Sequence, residues 1–170
     1  VKKMPSEQEV VGYLSQFQPG KLPFPVFNEI ARILVTTVVE IIPLRIKNSQ
    51  IEILFLEREE SDPHWAGQLH TPGTIILSTD KEGDFTSAFE RILEGELNGT
   101  AAKSSPVFYG VCHQQNKRGR GIALLHYVEM SEDEPKAGTY FTLDNLPDTM
   151  VDSQEAFIRE AVEHFLKHRN

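Results

Sequence analysis

Apolar and polar positions follow two rhythms along this chain. From Val35 to Lys47 β-branched residues dominate, Asn48-Ser49-Gln50 supplies a turn, and Ile51 to Leu56 returns, so the stretch predicts a strand hairpin. Arg58 to Gln68 is a polar loop holding Pro63 and Trp65, Thr74 to Leu77 is a short apolar strand, and Ser78 to Asp84 is a charged loop. The rhythm then changes. Phe85, Ala88, Phe89, Ile92 and Leu93 recur at helical spacing, predicting a helix over Phe85 to Leu97 that Asn98-Gly99 ends. Val107 to Cys112 and Ile122 to Met130 read as strands around a loop, Gln114 to Gly121, and Tyr140 to Leu143 is the last strand. Ser153 to His168 closes the chain as an amphipathic helix with Ala156, Phe157, Ala161, Phe165 and Leu166 inward.

Ahead of the hairpin, Ser6 to Phe17 reads as a helix. Ser6 and Glu9 form a capping box, and Val10, Val11, Leu14 and Phe17 give one apolar face. Pro19-Gly20 ends it, and Pro23 and Pro25 open a second helix, about Val26 to Leu34. Residues 1–34 are too short to own a core, so they are expected to form an arm packed on a domain of residues 35–170. The order of elements predicts the α+β class, with a mixed sheet packed between helices.

Composition narrows the function classes. With 170 residues the chain suits one core, and 39% hydrophobic with 25% charged residues excludes a disordered chain. A net charge of −8 makes most of the surface repel nucleic acid and anionic membrane, though a local basic patch can still meet a small anion. The one cysteine, Cys112, excludes an intramolecular disulfide and a multi-cysteine metal site, and its apolar run predicts a buried structural thiol. Val1 to Pro5 runs into polar residues without a signal-peptide pattern. The apolar stretch Ile33 to Leu44 is broken by Thr36, Thr37, Glu40 and Pro43, so no membrane span is expected and the cytoplasm is the expected location.

The motifs add a family likeness. His70-Thr71-Pro72-Gly73, a loop, then Ala88-Phe89-Glu90-Arg91-Ile92-Leu93-Glu94-Gly95-Glu96-Leu97 resembles a degenerate version of the Nudix signature, which is a glycine, five residues, Glu, seven residues, then Arg-Glu-apolar-x-Glu-Glu-x-Gly-apolar. The hairpin, Trp65-x-x-Gln68 and Phe141 to Pro147 before the last helix extend the resemblance to the Nudix hydrolases over about residues 33 to 168. Within them, the GDP-mannose mannosyl hydrolases are similar at Ala88 to Arg91, Glu96-Leu97, Phe108 to Val111 and His126 to Val128. The likeness implies an α/β/α sandwich and cleavage of a nucleoside diphosphate linked to another group, such as a sugar.

Aligned on Arg91, the box has lost carboxylates: Ile92 stands where Glu is expected, and of the paired glutamates only Glu96 remains beside Gly95. Asp80, Glu82 and Asp84 in the longer loop are loose candidates for the earlier Glu. Glu90 and Glu94 share a solvated face, and Glu96 lies about 200° around the helix from Glu94 at ~100° per residue, in the apolar row Ala88, Ile92, Glu96. The resemblance implies a weakly held Mg²⁺ or Mn²⁺ on Glu96 and the Gly73 carbonyl, with His126 as base; a helix-end carboxylate and a packed histidine remain the plainer alternatives. Arg91 is expected to organise the loop before the helix or to join the catalytic set. His64 and His70 are not at metal-ligand spacing with another histidine and are expected at the surface or in loop packing. Lys117, Arg118 and Arg120 form the one basic cluster, either a solvated hairpin tip or phosphate contacts, and Trp65 either stacks on a base or caps the core.

Three functions compete. One is a hydrolase of nucleoside diphosphate derivatives with weakened metal dependence. Another is a catalytically silent module that binds a nucleotide-like ligand or a protein. The third is a structural role through the arm, which allows a homodimer.

Overall fold

Asn48 and Ser49 both take positive φ, 51° and 63°. They close the tight turn between Thr36–Lys47 (β1) and Gln50–Glu57 (β2), which pair antiparallel. The computed structural model describes residues 4–169; Val1 to Lys3, part of the expectation that no targeting segment is present, lie outside the described residues. Five further strands complete one mixed sheet: Leu69–His70 (β3), Gly73–Ile75 (β4), Val107–Gln115 (β5), Arg120–Glu129 (β6) and Thr139–Thr142 (β7). The spatial order is β3-β2-β1-β6-β5, with β4 against β1 and β7 against β2. β1 and β6 run parallel, and the other pairs antiparallel.

Strand alternation divides the core in two. Ile42, Leu44, Leu125 and Tyr127 face the closing helix, Gln154–His168 (α4 in chain order), while Val39, Ile41, Val128 and Met130 face the middle helix, Thr86–Glu90 (α3), and its continuation. α4 buries Phe157, Ile158, Ala161, Val162 and Phe165, whereas Ala156 and Leu166 are exposed. The Tyr109 hydroxyl donates to the Phe157 carbonyl at 2.8 Å and helps set that rotation, so the apolar stripe sits slightly around the helix from the one expected.

Two expectations about the β5–β6 hairpin are corrected. β5 and β6 run on to Gln115 and from Arg120, leaving only a tight turn where a longer loop was read. Cys112 is half-buried rather than buried, because β5 is the sheet's edge strand.

In the arm, Glu7–Leu14 (α1) carries the expected capping box: the Glu9 N–H donates to Ser6 Oγ at 3.3 Å, and the Ser6 N–H to Glu9 Oε2 at 2.7 Å. α1 buries none of its residues, and Val10, Val11 and Leu14 stay exposed, so its apolar face is unpacked. Phe24–Ile33 (α2) starts two residues earlier than expected, with Pro25 in its first turn, and buries only Ala31. Among the described residues no helix is long and apolar enough to cross a membrane.

Candidate ligand-binding site

The loop after β2 is built to hold an arginine beside a tryptophan. Asp62 Oδ1 accepts the backbone N–H groups of His64 (2.9 Å) and Trp65 (3.1 Å), and this short-range turn around Pro63 fixes Trp65. The Arg58 N–H donates to the Gln68 carbonyl at 2.9 Å and the Gly67 N–H to the Arg58 carbonyl at 3.2 Å, so the loop closes on itself. Trp65 is left only 8% exposed, with the Arg58 guanidinium 5.7 Å from its ring centroid.

The β5–β6 turn brings a second guanidinium to the same place. Asn116 Oδ1 accepts from the backbone N–H groups of Arg118 (2.9 Å) and Gly119 (3.2 Å), which turns Arg118 inward. Its guanidinium lies 5.0 Å from the Trp65 ring, 5.6 Å from Phe24 and 5.5 Å from Phe27, a cation among three aromatic faces.

Beneath these groups is a cavity of about 60 Å³, bordered by Glu40, Arg58, Trp65, Arg118, Gln154 and Phe27. Glu40 Oε2, Arg58 Nε and Arg118 Nε are buried there without a hydrogen-bond partner. Burial pushes the Glu40 carboxyl up to about 8; the Glu96 charge adds to this, and Arg58 and Arg118 oppose it. The carboxylate fits because its strand neighbour is Gly73: a methyl group there would overlap Glu40 Oε2. Gln154 pins the start of α4 to the same segment, its Oε1 accepting the Thr71 N–H at 2.9 Å and its Nε2 donating to the Thr71 carbonyl at 3.3 Å.

Arg58 also borders a second, open cleft of about 760 Å³, together with Phe24, Glu57, Asp62, His70 and Glu96. Glu96 reaches it through a change of helix type. After Glu90 the helix widens to a π-helical segment, Arg91–Glu96, in which the Leu97 N–H donates to the Ile92 carbonyl five residues back, at 2.9 Å. Leu97 therefore joins Ala88 and Ile92 on the buried row, and Glu96, placed there by α-helical spacing, swings to the edge of the cleft. Burial raises its carboxyl to about 7, against the opposing Arg58 charge and a hydrogen bond from the Gly73 backbone. His70 Nδ1 donates to the Thr71 carbonyl at 2.8 Å; burial and the Arg58 charge depress the ring to about 4 and keep it neutral.

No family model and no curated protein matches this sequence, but solved structures do match its backbone. A mutT/nudix family protein from Listeria innocua superposes with a TM-score of 0.58 at 16% identity, over 78% of this chain and 94% of its own. The C. elegans Ap4A hydrolase gives 0.58 at 15%, over 78% and 99%. The NUDIX domain of Shewanella oneidensis NrtR, complexed with ADP ribose, gives 0.57 at 15%, over 95% and 99%. The chain has the Nudix fold.

On that fold the residues expected to act together from the sequence are dispersed. Trp65, Arg118 and Arg120 border the small cavity, whereas Lys117 is exposed and donates to the His64 carbonyl at 3.2 Å. Glu96 lies in the neighbouring cleft. Arg91 is engaged elsewhere: it pairs with Asp80 and donates to the Ile75 carbonyl at 2.9 Å, organising the loop before the helix. His126 faces α3 but is only 2% exposed, ringed by Phe89 (5.0 Å), Phe108 (5.4 Å) and Phe85 (6.1 Å), and its Nδ1 donates to the Leu124 carbonyl at 3.0 Å. Burial lowers its pKa, and neither the cavity nor the cleft includes it.

For a divalent cation the donor set is sparse: Glu96 and the buried Glu40, on which the Glu96 charge acts, are its nearest carboxylates. Among the described residues no three His, Cys, Asp or Glu side chains gather at metal-binding distance. Glu96 shares the cleft with Arg58, whose charge favours its ionised form, and a hard ion there would need further oxygen donors. Glu40, Arg58 and His70 were not singled out for this site from the sequence. The readable signal was Glu40, a lone carboxylate inside the apolar run Val38 to Ile42.

Proposed function

We propose that this chain is a Nudix-fold module that binds a nucleotide derivative through fixed guanidinium groups and aromatic faces rather than through a metal cluster. The observation that carries this reading is the set of three unpartnered buried polar atoms, on Glu40, Arg58 and Arg118, against Trp65. Each such atom costs roughly 1–3 kcal/mol, more when charged, and a ligand that pairs with them recovers the loss. Aromatic and guanidinium faces suit a planar base, and the open cleft beside Arg58 suits its phosphates.

ADP ribose, held by the NrtR domain, and Ap4A, the substrate that names the C. elegans hydrolase, are the first ligands to titrate, with a nucleoside diphosphate sugar as a third. Calorimetry should show one site, and Arg58→Ala should weaken it roughly 10–100-fold, the worth of a charged hydrogen bond. Binding that ignores Arg58→Ala, or no binding of any of the three, overturns the reading. Turnover with Mg²⁺ or Mn²⁺ that Glu96→Gln abolishes would establish the hydrolase instead.

A further inference from the structure

We infer that α2 is a lid, and that a planar ring bearing at least one N–H donor enters the small cavity beside Trp65 and Arg118 by displacing it. The inference rests on the binding reading above, and adds both a gate and a feature of the ligand. The cavity of about 60 Å³ has room for a handful of waters at about 10–15 Å³ each, whereas ligand pockets hold roughly 300–1,000 Å³. What narrows it is the arm. Phe27 and Ala31 form its wall, and Phe24 and Phe27 cover the Arg118 guanidinium where a ligand ring would stack.

The closure is lightly held. α2 buries only Ala31, which rests on Gly119; a methyl group on that glycine, at φ 152°, would overlap the Ala31 carbonyl. Its first residue has no side-chain cap, and α1 ahead of it buries nothing. Asn28 Oδ1, on α2 itself, is buried without a partner, as are Glu40 Oε2, Arg58 Nε and Arg118 Nε in the cavity that α2 borders. A ring that replaces Phe27 against Arg118 and Trp65 and donates to Glu40 Oε2 satisfies what the lid leaves open. The helix borders both spaces, the small cavity through Phe27 and the cleft through Phe24, and Arg58 lines both, so lifting it would join the two around Arg58.

Two variants lift the lid by different means. Phe27→Ala removes the ring over Arg118, and Ala31→Glu places a charge where only a methyl group fits. Trp65 is the single tryptophan, so acrylamide quenching without ligand reads the lid directly. Quenching should rise about twofold or more in both variants, and ADP ribose should bind about tenfold tighter, as expected when a site closed ~90% of the time is freed. In the wild type, α2 amides should exchange hydrogen faster than those of α4 and the central strands. Unchanged quenching in both variants, protection of α2 equal to that of the sheet, or open variants that bind no tighter than a binding wild type would overturn the lid. If quenching rises but no variant binds ADP ribose, the lid stands and the ligand reading falls. Should one variant fail to fold, the other and the wild-type exchange decide.

Discussion

Glu40→Gln keeps the size of the side chain and removes its titration, so it reads the charge of one carboxylate in the cavity. An ordinary glutamate ionises near 4.5, and burial moves Glu40 to about 8 in the folded chain. Between those values the folded state keeps a proton that the unfolded state has released, so stability must fall as pH rises. Below 4.5 both states are protonated and the group contributes nothing. Over about 3.5 pH units at ~1.36 kcal/mol each, the loss reaches roughly 5 kcal/mol by pH 8 and stays level above it. This is an upper value, because part of it is repulsion from Glu96, which titrates in the narrower window from 4.5 to about 7.

A loss of that order is a large fraction of the roughly 5–15 kcal/mol that holds a domain together. Urea unfolding of wild type, Glu40→Gln and Glu96→Gln across about pH 5 to 9 measures it. Wild type and Glu40→Gln should converge near pH 5, and the variant should become the more stable by several kcal/mol near pH 8. Glu96→Gln should show a smaller gap that is complete by about pH 7. Parallel curves for wild type and Glu40→Gln would refute the reasoning: the carboxylate would then be solvated or paired, and the cavity would hold no unmet acceptor.

Arg91→Ala removes the bonds to Asp80 and the Ile75 carbonyl and should cost roughly 1–3 kcal/mol in urea unfolding while leaving ADP ribose affinity unchanged. Lost affinity at retained stability would return Arg91 to the binding site. His126→Gln should also lower stability by about 1–3 kcal/mol near neutral pH, because the three phenylalanine rings lose their partner, again with ligand affinity intact. Since burial holds the folded histidine neutral, wild type should additionally lose stability as pH falls below 6.5 and the variant should not; equal acid responses would show the ring to be solvated.

The hairpin, the capped first helix and the closing helix were legible because each is written locally: two turn residues, a Ser6–Glu9 reciprocal cap, a repeating apolar stripe. The site was less so, for two physical reasons. Helical spacing puts Glu96 in line with Ala88 and Ile92, and the π-helical segment, which carries Gly95, breaks that arithmetic by passing the buried place to Leu97. The cavity is assembled from residues far apart in sequence, Phe27, Glu40, Arg58, Trp65 and Arg118, so no local motif announces it. The basic cluster at Lys117 to Arg120 was visible, but only the Asn116 turn decides that Arg118 points inward while Lys117 stays in solvent.

The charge arrangement leads to a last prediction that separates this module from a metal-dependent enzyme on the same fold. A diphosphate bound through a divalent ion has its charge met by a mobile cation, and a chelator removes both together. Here Arg58, at the junction of cavity and cleft, and Arg118 above it are covalently fixed cations at any working pH. An anionic ligand should therefore need no recruited ion. Its affinity should be the same in EDTA as in Mg²⁺, yet fall as salt screens the approach to the open cleft. Raising the ionic strength from about 0.05 to 0.5 M should weaken ADP ribose binding by roughly 3–10-fold, most of it through slower association. Arg58→Ala should flatten that dependence along with the affinity, because the exposed side of the cleft loses its cation. Binding that EDTA abolishes and Mg²⁺ restores would instead place an ion on Glu96, and the fixed-charge account would fail there.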